Sequence, residues 1–269
     1  MAAELTMTRI LDAFGHLSFR HPTRRDVFIM PRNLAPANIA SPEDDLVEYN
    51  VSDASPVDST APAGYIERYI HSEIYKQYPG VNSVIHSHAS AVVPYTISES
   101  ISRSFLSGFL LLRARRRFSR VPGASTPVYD IAKHYEPGAT RDLLIRSPHL
   151  GESLAACFRA ADASTTQTSK DEPDHSVVLM RGHGYTVAAR SIEECVFRAI
   201  YTRDNATIQT ASLGLSAAYR GTGDSPTEIQ YLRDDEIEGA TGIALTGWAR
   251  AWGLWVREVE AANLYASSG

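Results

Sequence analysis

The sequence predicts a single α/β domain, and three observations carry that prediction. Apolar residues recur at strand spacing and at helix spacing in interleaved stretches, no internal repeat is present, and 269 residues with 43% hydrophobic content can bury one sizeable core. In chain order, "RILDAFGHLSFRHP" predicts the end of a helix, a turn at Gly15 and a strand in which Leu17 and Phe19 alternate with polar residues. "DVFIMP" predicts its hairpin partner, and residues 41–63, rich in Ser, Pro and Asp, predict a loop. "GYIERYIHSEIYKQYP" sets Ile66, Tyr69, Ile70 and Ile74 at helical spacing, and Pro79 closes that helix. "VNSVIHSH" predicts a strand, and "SVVLMRGHGYTVAA" a strand, a glycine turn around His183 and a second strand. Ser191 and Glu194 make a capping box for a helix carrying Ile192, Val196, Ala199 and Ile200, with Gly214 as its expected stop. Residues 162–174, "DASTTQTSKDEPD", predict a surface loop. Residues 1–235 are expected to form the domain and residues 236–269 a helical tail placed to pack on a neighbouring subunit.

The charge balance excludes some classes of function. With 26 Lys and Arg against 31 Asp and Glu, the formal charge is −5, and no dedicated nucleic-acid surface is expected. Cys157 and Cys195 lie far apart, and neither has a second cysteine at metal-ligand or redox spacing, which suits a reducing cytosol. No apolar run approaches the ~20 residues of a membrane span. The start, "MAAELTMTRILDAFG", carries acidic and polar residues where a signal peptide is apolar. A cytoplasmic protein with a small-molecule substrate and no membrane partner is expected.

Chemistry is concentrated in the histidines. Residues i and i+2 of a strand share a face, so His86 and His88 in "VIHSH" project side by side and can chelate one cation. A catalytic zinc site uses about three protein ligands and keeps one position open. The third candidate is His183 in "RGHG", where flanking glycines permit a sharp turn and close backbone approach. Either motif alone also occurs for structural reasons only. The spacing from Gly80 through His86 to His88 fits the first half of a cupin motif, but the cupin glutamate is missing and a helix precedes the strand. The Asp-His pair that a metallo-hydrolase carries just after its His-x-His is absent as well. Glu67 and His71 stand four apart on one helical face, and a carboxylate beside a metal is what proton transfer at an activated carbon needs. Its plainer reading is a solvated glutamate paired with Arg68.

Together, "ERYIHSEIYKQYPGVNSVIHSHAS" and, about a hundred residues later, "VVLMRGHG" resemble the class II aldolase/adducin family in order and spacing. The resemblance covers roughly residues 8–235, with "GHLSFRHP", "YDIA" and "AIYTRDNATIQTASLG" extending it. It implies a three-layer α/β/α sandwich around a largely antiparallel sheet, usually assembled as a homotetramer with sites near subunit interfaces. It also implies His86, His88 and His183 as ligands of a divalent metal and Glu67 as the acid/base. Zinc is the first expectation for that metal, with manganese, cobalt and iron as alternatives.

The chain departs from the family's sugar-phosphate aldolases. Tyr65 and Ile66 stand where those relatives carry two phosphate-binding serines, and neither "GH" at residues 15–16 nor "MPRN" at residues 30–33 makes a glycine-rich anion nest. "GHxSxR" and an arginine near position 32 resemble instead the branch that includes decarboxylases of hydroxylated aromatic or oxo acids. Arg32 is then the expected ligand of a substrate carboxylate, its alternative being a surface-loop residue. His16 and Ser18 are further substrate-binding candidates or, like Arg20, strand residues with structural hydrogen bonds, and Tyr201 is a candidate second proton donor whose plainer reading is a core tyrosine. Relative to the family the start is short by most of a helix. Residues 110–125, with Arg113, Arg115, Arg116, Arg117 and Arg120, read as an inserted loop or as read-through of non-coding sequence, and as a poor nucleic-acid patch.

The function expected is cleavage of a carbon–carbon bond in a small oxygenated carboxylic or hydroxyaromatic acid, by decarboxylation or retro-aldol reaction, through a metal-stabilised enolate. The alternatives are a metal-dependent dehydratase, which leaves the carbon chain intact, and a non-catalytic adducin-like scaffold. Retention of the three histidines and Glu67 argues against the scaffold.

Overall fold

The computed structural model of the chain describes residues 14–98, 126–160, 170–219, 229 and 234–261. The helix end expected before Gly15, the arginine-rich residues 113–120 and most of the loop at 162–174 lie outside the described residues.

β1 (His16–Arg20) and β2 (Val27–Pro31) form the expected hairpin, with Phe19 opposite Ile29. Within the segment expected to be a loop lie a short helix, α1 (Pro42–Asp45), and β3 (Leu46–Asn50), which pairs with β2 from Leu46 to Asn50. The loop expectation is corrected here: Val47 and Tyr49 point inward from β3 while their neighbours are half-exposed, the alternation of a one-sided strand. α2 (Arg68–Gln77), β4 (Ser83–Ser87) and α3 (Val93–Ile97) follow. Then come β5 (Val128–Tyr129), α4 (Pro148–Ala156), β6 (Val177–Met180) and β7 (Gly184–Ala189). The long helices α5 (Ile192–Tyr219) and α6 (Asp234–Ala261) close the described chain.

The strands make one seven-stranded sheet in the order β3-β2-β1-β4-β7-β6-β5, antiparallel throughout except for the parallel β5–β6 pair. Its central strands carry apolar residues on both faces. Val84, Val178 and Met180 face a core shared with Ile70, Ile74, Leu150 and Leu154 of α2 and α4. Ile85, Leu179 and Val187 face a second core with Val196, Ala199 and Ile200 of α5 and Trp255 of α6. Helices on both faces of the sheet are the three-layer arrangement expected.

Ser191 caps α5, its Oγ accepting from the Glu194 amide at 3.2 Å, and Glu194 returns the contact to the Arg190 amide rather than to Ser191. Gly214 does not stop the helix. Its surroundings are open, and the cost of an exposed helical glycine, about 1 kcal/mol, is outweighed by the run of good helix formers around it. In the segment expected to be a tail, α6 lays the buried Trp255 and Val259 against the core under α5 of the same chain.

Candidate metal centre

The site is assembled on the sheet face beneath α2. Cross-strand register puts His16 of β1 directly opposite His86 of β4, and His86 directly opposite Thr186 of β7, so the three side chains form one row across the sheet. His88, two residues beyond His86, keeps to the same face at the strand's end. His183 comes from the β6–β7 turn, where Gly182 adopts φ +69° and Gly184 lies so close to the end of β4 that a Cβ there would stand 2.1 Å from the Ser87 carbonyl oxygen. Both flanking glycines are thus required, one by conformation and one by proximity.

The result is a convergence of imidazole nitrogens. His86 Nε2 lies 2.8 Å from His88 Nε2, which lies 2.9 Å from His183 Nε2. With Glu67, these residues offer one ligand atom each within a span of 4.8 Å. Burial, reinforced by the neighbouring histidines, holds His86 well below the usual imidazole range, and burial also lowers His183. Neutral imidazoles with their Nε2 lone pairs turned to one point fit a divalent cation. For His86 to ligate through Nε2, its Nδ1 must carry the hydrogen, and Thr186 Oγ1 is there to accept it at 3.3 Å.

Glu67 immediately precedes α2 and is buried, so the solvated, Arg68-paired reading is corrected. Arg68 instead donates to the backbone oxygens of Ala54 and Tyr65. Glu67 Oε1 accepts from the Ile145 amide at 3.0 Å, and Oε2 stands 3.8 Å from Nε2 of His16, His86 and His183. Ile145 belongs to a turn in which Leu143 adopts φ +68°, braced by its amide's donation to the Tyr135 hydroxyl at 2.9 Å.

The substrate-binding candidates divide. His16 joins the centre: its ring lies 5.1 Å from that of His86, and its buried Nε2 has no hydrogen-bond partner. Ser18 lies behind it, wholly buried, its hydroxyl engaged by His71 and Tyr75. Arg32 is anchored through Nε on the buried Asp45 at 2.9 Å and pairs with Gly64. Its loop reaches the centre indirectly, since the Tyr65 hydroxyl donates to the Leu34 carbonyl and the Tyr65 ring lies 4.8 Å from His16. Tyr201 is not brought to the cluster: it packs on the opposite sheet face, its ring 4.7 Å from Phe197. The sequence reading assigned no role to Thr186, Tyr65 or Tyr75. For Tyr75 a signal existed, because Glu67, His71 and Tyr75 form a stripe at spacing four along α2.

Residues 4–210 match the model of the Class II Aldolase and Adducin N-terminal domain, and the chain belongs to that family. It is an enzyme of the carbon–carbon lyase type, with a His/Glu cluster able to hold a divalent metal. Among curated relatives, it is 51% identical over 261 residues to "Decarboxylase tropJ" of Talaromyces stipitatus, covering 96% of this chain and 91% of that one. It is 27% identical over 147 residues to the 3,4-dihydroxyphthalate decarboxylase of Arthrobacter keyseri, covering 54% of this chain and 48% of that one. In fold it is similar to an aldolase II superfamily protein from Pseudomonas syringae, with a TM-score of 0.64 at 19% identity over 98% of this chain and 91% of that one. It is also similar to the L-fuculose 1-phosphate aldolase from Glaciozyma antarctica, with a TM-score of 0.59 at 14% identity over 99% and 89%.

Proposed function

We propose that the chain is a divalent-metal-dependent decarboxylase of a small hydroxyaromatic or oxo acid, with His86, His88 and His183 as the metal ligands and Glu67 as the acid/base. The observation that carries the proposal is the split environment of the Glu67 carboxylate, one oxygen tied to Ile145 and the other 3.8 Å from the imidazole nitrogens. The decarboxylase names of its relatives support the same class, and three imidazoles suit zinc, with cobalt, manganese or iron as alternatives. Held there, the cation supplies a Lewis acid for the charge left on a substrate oxygen as the carbon–carbon bond breaks. Glu67, the acid/base, then passes a proton drawn from solvent to the carbon that has lost CO2. His16 faces a substrate oxygen through Nε2, and the Tyr65 ring forms an apolar wall beside it. The outer edge of the Arg32 guanidinium is left for a carboxylate, since Asp45 takes its Nε.

The test is a panel of oxo and hydroxyaromatic acids, including hydroxylated aromatic dicarboxylates, incubated with metal-loaded protein. One CO2 released per substrate, with a product one carbon shorter, is expected. A product that has lost water with its carbon chain intact makes the enzyme a dehydratase, and no bound metal with no turnover makes it a scaffold.

No helix among the described residues is long and apolar enough to cross a membrane. We further propose a cytoplasmic homotetramer, for which the exposed Ile208 and Leu215 on α5 and Leu254 on α6 offer apolar surface; light scattering on the purified protein measures the assembly.

A further inference from the structure

Behind the metal centre, four buried side chains are linked end to end. The Tyr75 hydroxyl lies 2.7 Å from Ser18 Oγ, Ser18 Oγ 2.6 Å from His71 Nδ1, and His71 Nε2 2.7 Å from His16 Nδ1. The chain leads from Tyr75 in the last turn of α2, by way of Ser18 and His71, to the ring nitrogen at its end that has no hydrogen-bond partner, His16 Nε2. We propose that Tyr75, Ser18 and His71 form a hydrogen-bond chain of a single polarity that holds His16 in the tautomer with its hydrogen on Nε2, so that a neutral imidazole donates to a substrate oxygen. The placement of substrate beside His16 rests on the decarboxylase reading; the tautomer does not.

Both ends of the chain select the same polarity. At the inner end, Ser18 Oγ is the acceptor within reach of the Tyr75 hydroxyl, and a phenol so deeply buried keeps its proton and must place it. Burial pushes the phenol's pKa up, and Ser18 Oγ is its one side-chain hydrogen-bond partner among the described residues. If Tyr75 donates to Ser18, Ser18 donates to His71 Nδ1, His71 carries its hydrogen on Nε2 and donates to His16 Nδ1, and His16 is left with Nε2–H. Run the other way, every link is still made, but the Tyr75 hydrogen has nowhere to go. At the outer end, His16 Nε2 faces Glu67 Oε2 at 3.8 Å, where an N–H is attracted and a lone pair repelled. The phenol sits on α2 at residue 75 and the carboxylate at residue 67, the position just before its first turn, with His71 between them, so one element sets both ends.

His71, Ser18 and Tyr75 are accordingly positioning residues for His16. The measurement is the two-bond nitrogen–proton correlation spectrum of zinc-loaded protein labelled with nitrogen-15 at histidine, which distinguishes Nδ1–H from Nε2–H imidazoles. The His16 signal is identified by its loss in His16→Gln. In the wild type His16 is expected as Nε2–H. Ser18→Ala cuts the chain and Tyr75→Phe leaves the Ser18 hydroxyl equally able to donate to His71 or accept from it. In each, His16 is expected as a mixture of tautomers, with the zinc content unchanged. Tyr75→Phe keeps the ring and serves if Ser18→Ala does not fold. An Nδ1–H imidazole in the wild type, or an Nε2–H signal untouched in a folded variant, overturns the inference. Failure of the decarboxylase reading registers elsewhere, as absence of CO2 release by the wild type, and leaves this readout intact.

Discussion

The Ile145 amide donates to Glu67 Oε1 across 3.0 Å and so aims the other carboxylate oxygen at the imidazole nitrogens of His16, His86 and His183. The aiming group is a backbone N–H in a turn that Leu143 holds at φ +68°, which places Glu67 by main-chain geometry rather than by a second side chain. Glu67→Gln keeps the shape and an acceptor oxygen for Ile145 but has no proton to give. Turnover is expected to fall about 10²–10⁴-fold with zinc content and melting temperature near the wild-type values. A variant that keeps its rate would remove Glu67 from the acid/base role.

His88 differs from His86 in burial, being half-buried at the end of β4 where His86 is wholly enclosed. His88→Ala is therefore expected to fold and to lose the metal. Wild-type protein at a zinc concentration about 100 times its dissociation constant gains about 2.7 kcal/mol, seen as a rise in melting temperature. The variant is expected to show no rise, and plasma mass spectrometry of both proteins gives the stoichiometry directly.

Thr186 backs His86 of the candidate metal site, accepting from His86 Nδ1 at 3.3 Å while donating to Met180 Sδ at 3.2 Å. Thr186→Val fills nearly the same space without the acceptor. A loss of about 10–100-fold in zinc affinity is expected, measured by competition with a chromogenic chelator.

Acid is expected to destabilise the metal-free protein earlier than its carboxylates alone would dictate. Burial lowers His16 to about 3 and holds His71 and His86 well below their ordinary value, so below pH 6.5 the unfolded chain binds protons that the folded chain refuses. For His16 the resulting stability is fully present above pH 6.5 and is lost as pH falls toward about 3, at about 1.4 kcal/mol per pH unit. His71 and His86 add to the slope in the same direction. Urea unfolding of metal-free protein across this range measures it, and His16→Gln is expected to flatten it by one histidine's share.

How much of this was legible in the sequence varies with the range of the interaction. β4, β6, β7 and the glycine turn follow from local periodicity, and "HSH" and "GHG" carry the candidate ligands in the pattern itself, because strand alternation decides where His86 and His88 point. β3 was hidden because its inward pair, Val47 and Tyr49, is short and surrounded by turn-forming residues. The chain behind His16 was not legible, since Ser18 and Tyr75 meet only when β1 packs under α2, 57 positions apart. For Tyr201 the helix is well marked in the sequence but the face is not, and the structure packs its ring on Phe197 on the far side of the sheet, as the core-tyrosine reading has it.

The glycines around His183 give a test of which constraint matters more. Gly182 needs a positive φ, +69°, but has room, the nearest atom to a built Cβ being Leu143 Cδ1 at 3.8 Å. Gly184 needs space, since its Cβ would stand 2.1 Å from the Ser87 oxygen and 3.1 Å from the His88 Cα, backbone atoms that cannot rotate aside. Gly182→Ala is expected to cost about 1–2 kcal/mol as conformational strain with the zinc site kept. Gly184→Ala must push the start of β7 away from the end of β4, separating His183 from His88, and is expected to cost at least as much through overpacking, about 1–3 kcal/mol, and to weaken zinc binding as well. Urea midpoints and chelator competition on the two variants check both numbers. Zinc affinity lost in Gly182→Ala and kept in Gly184→Ala would mean that turn conformation, not the contact between β4 and β7, holds His183 in place.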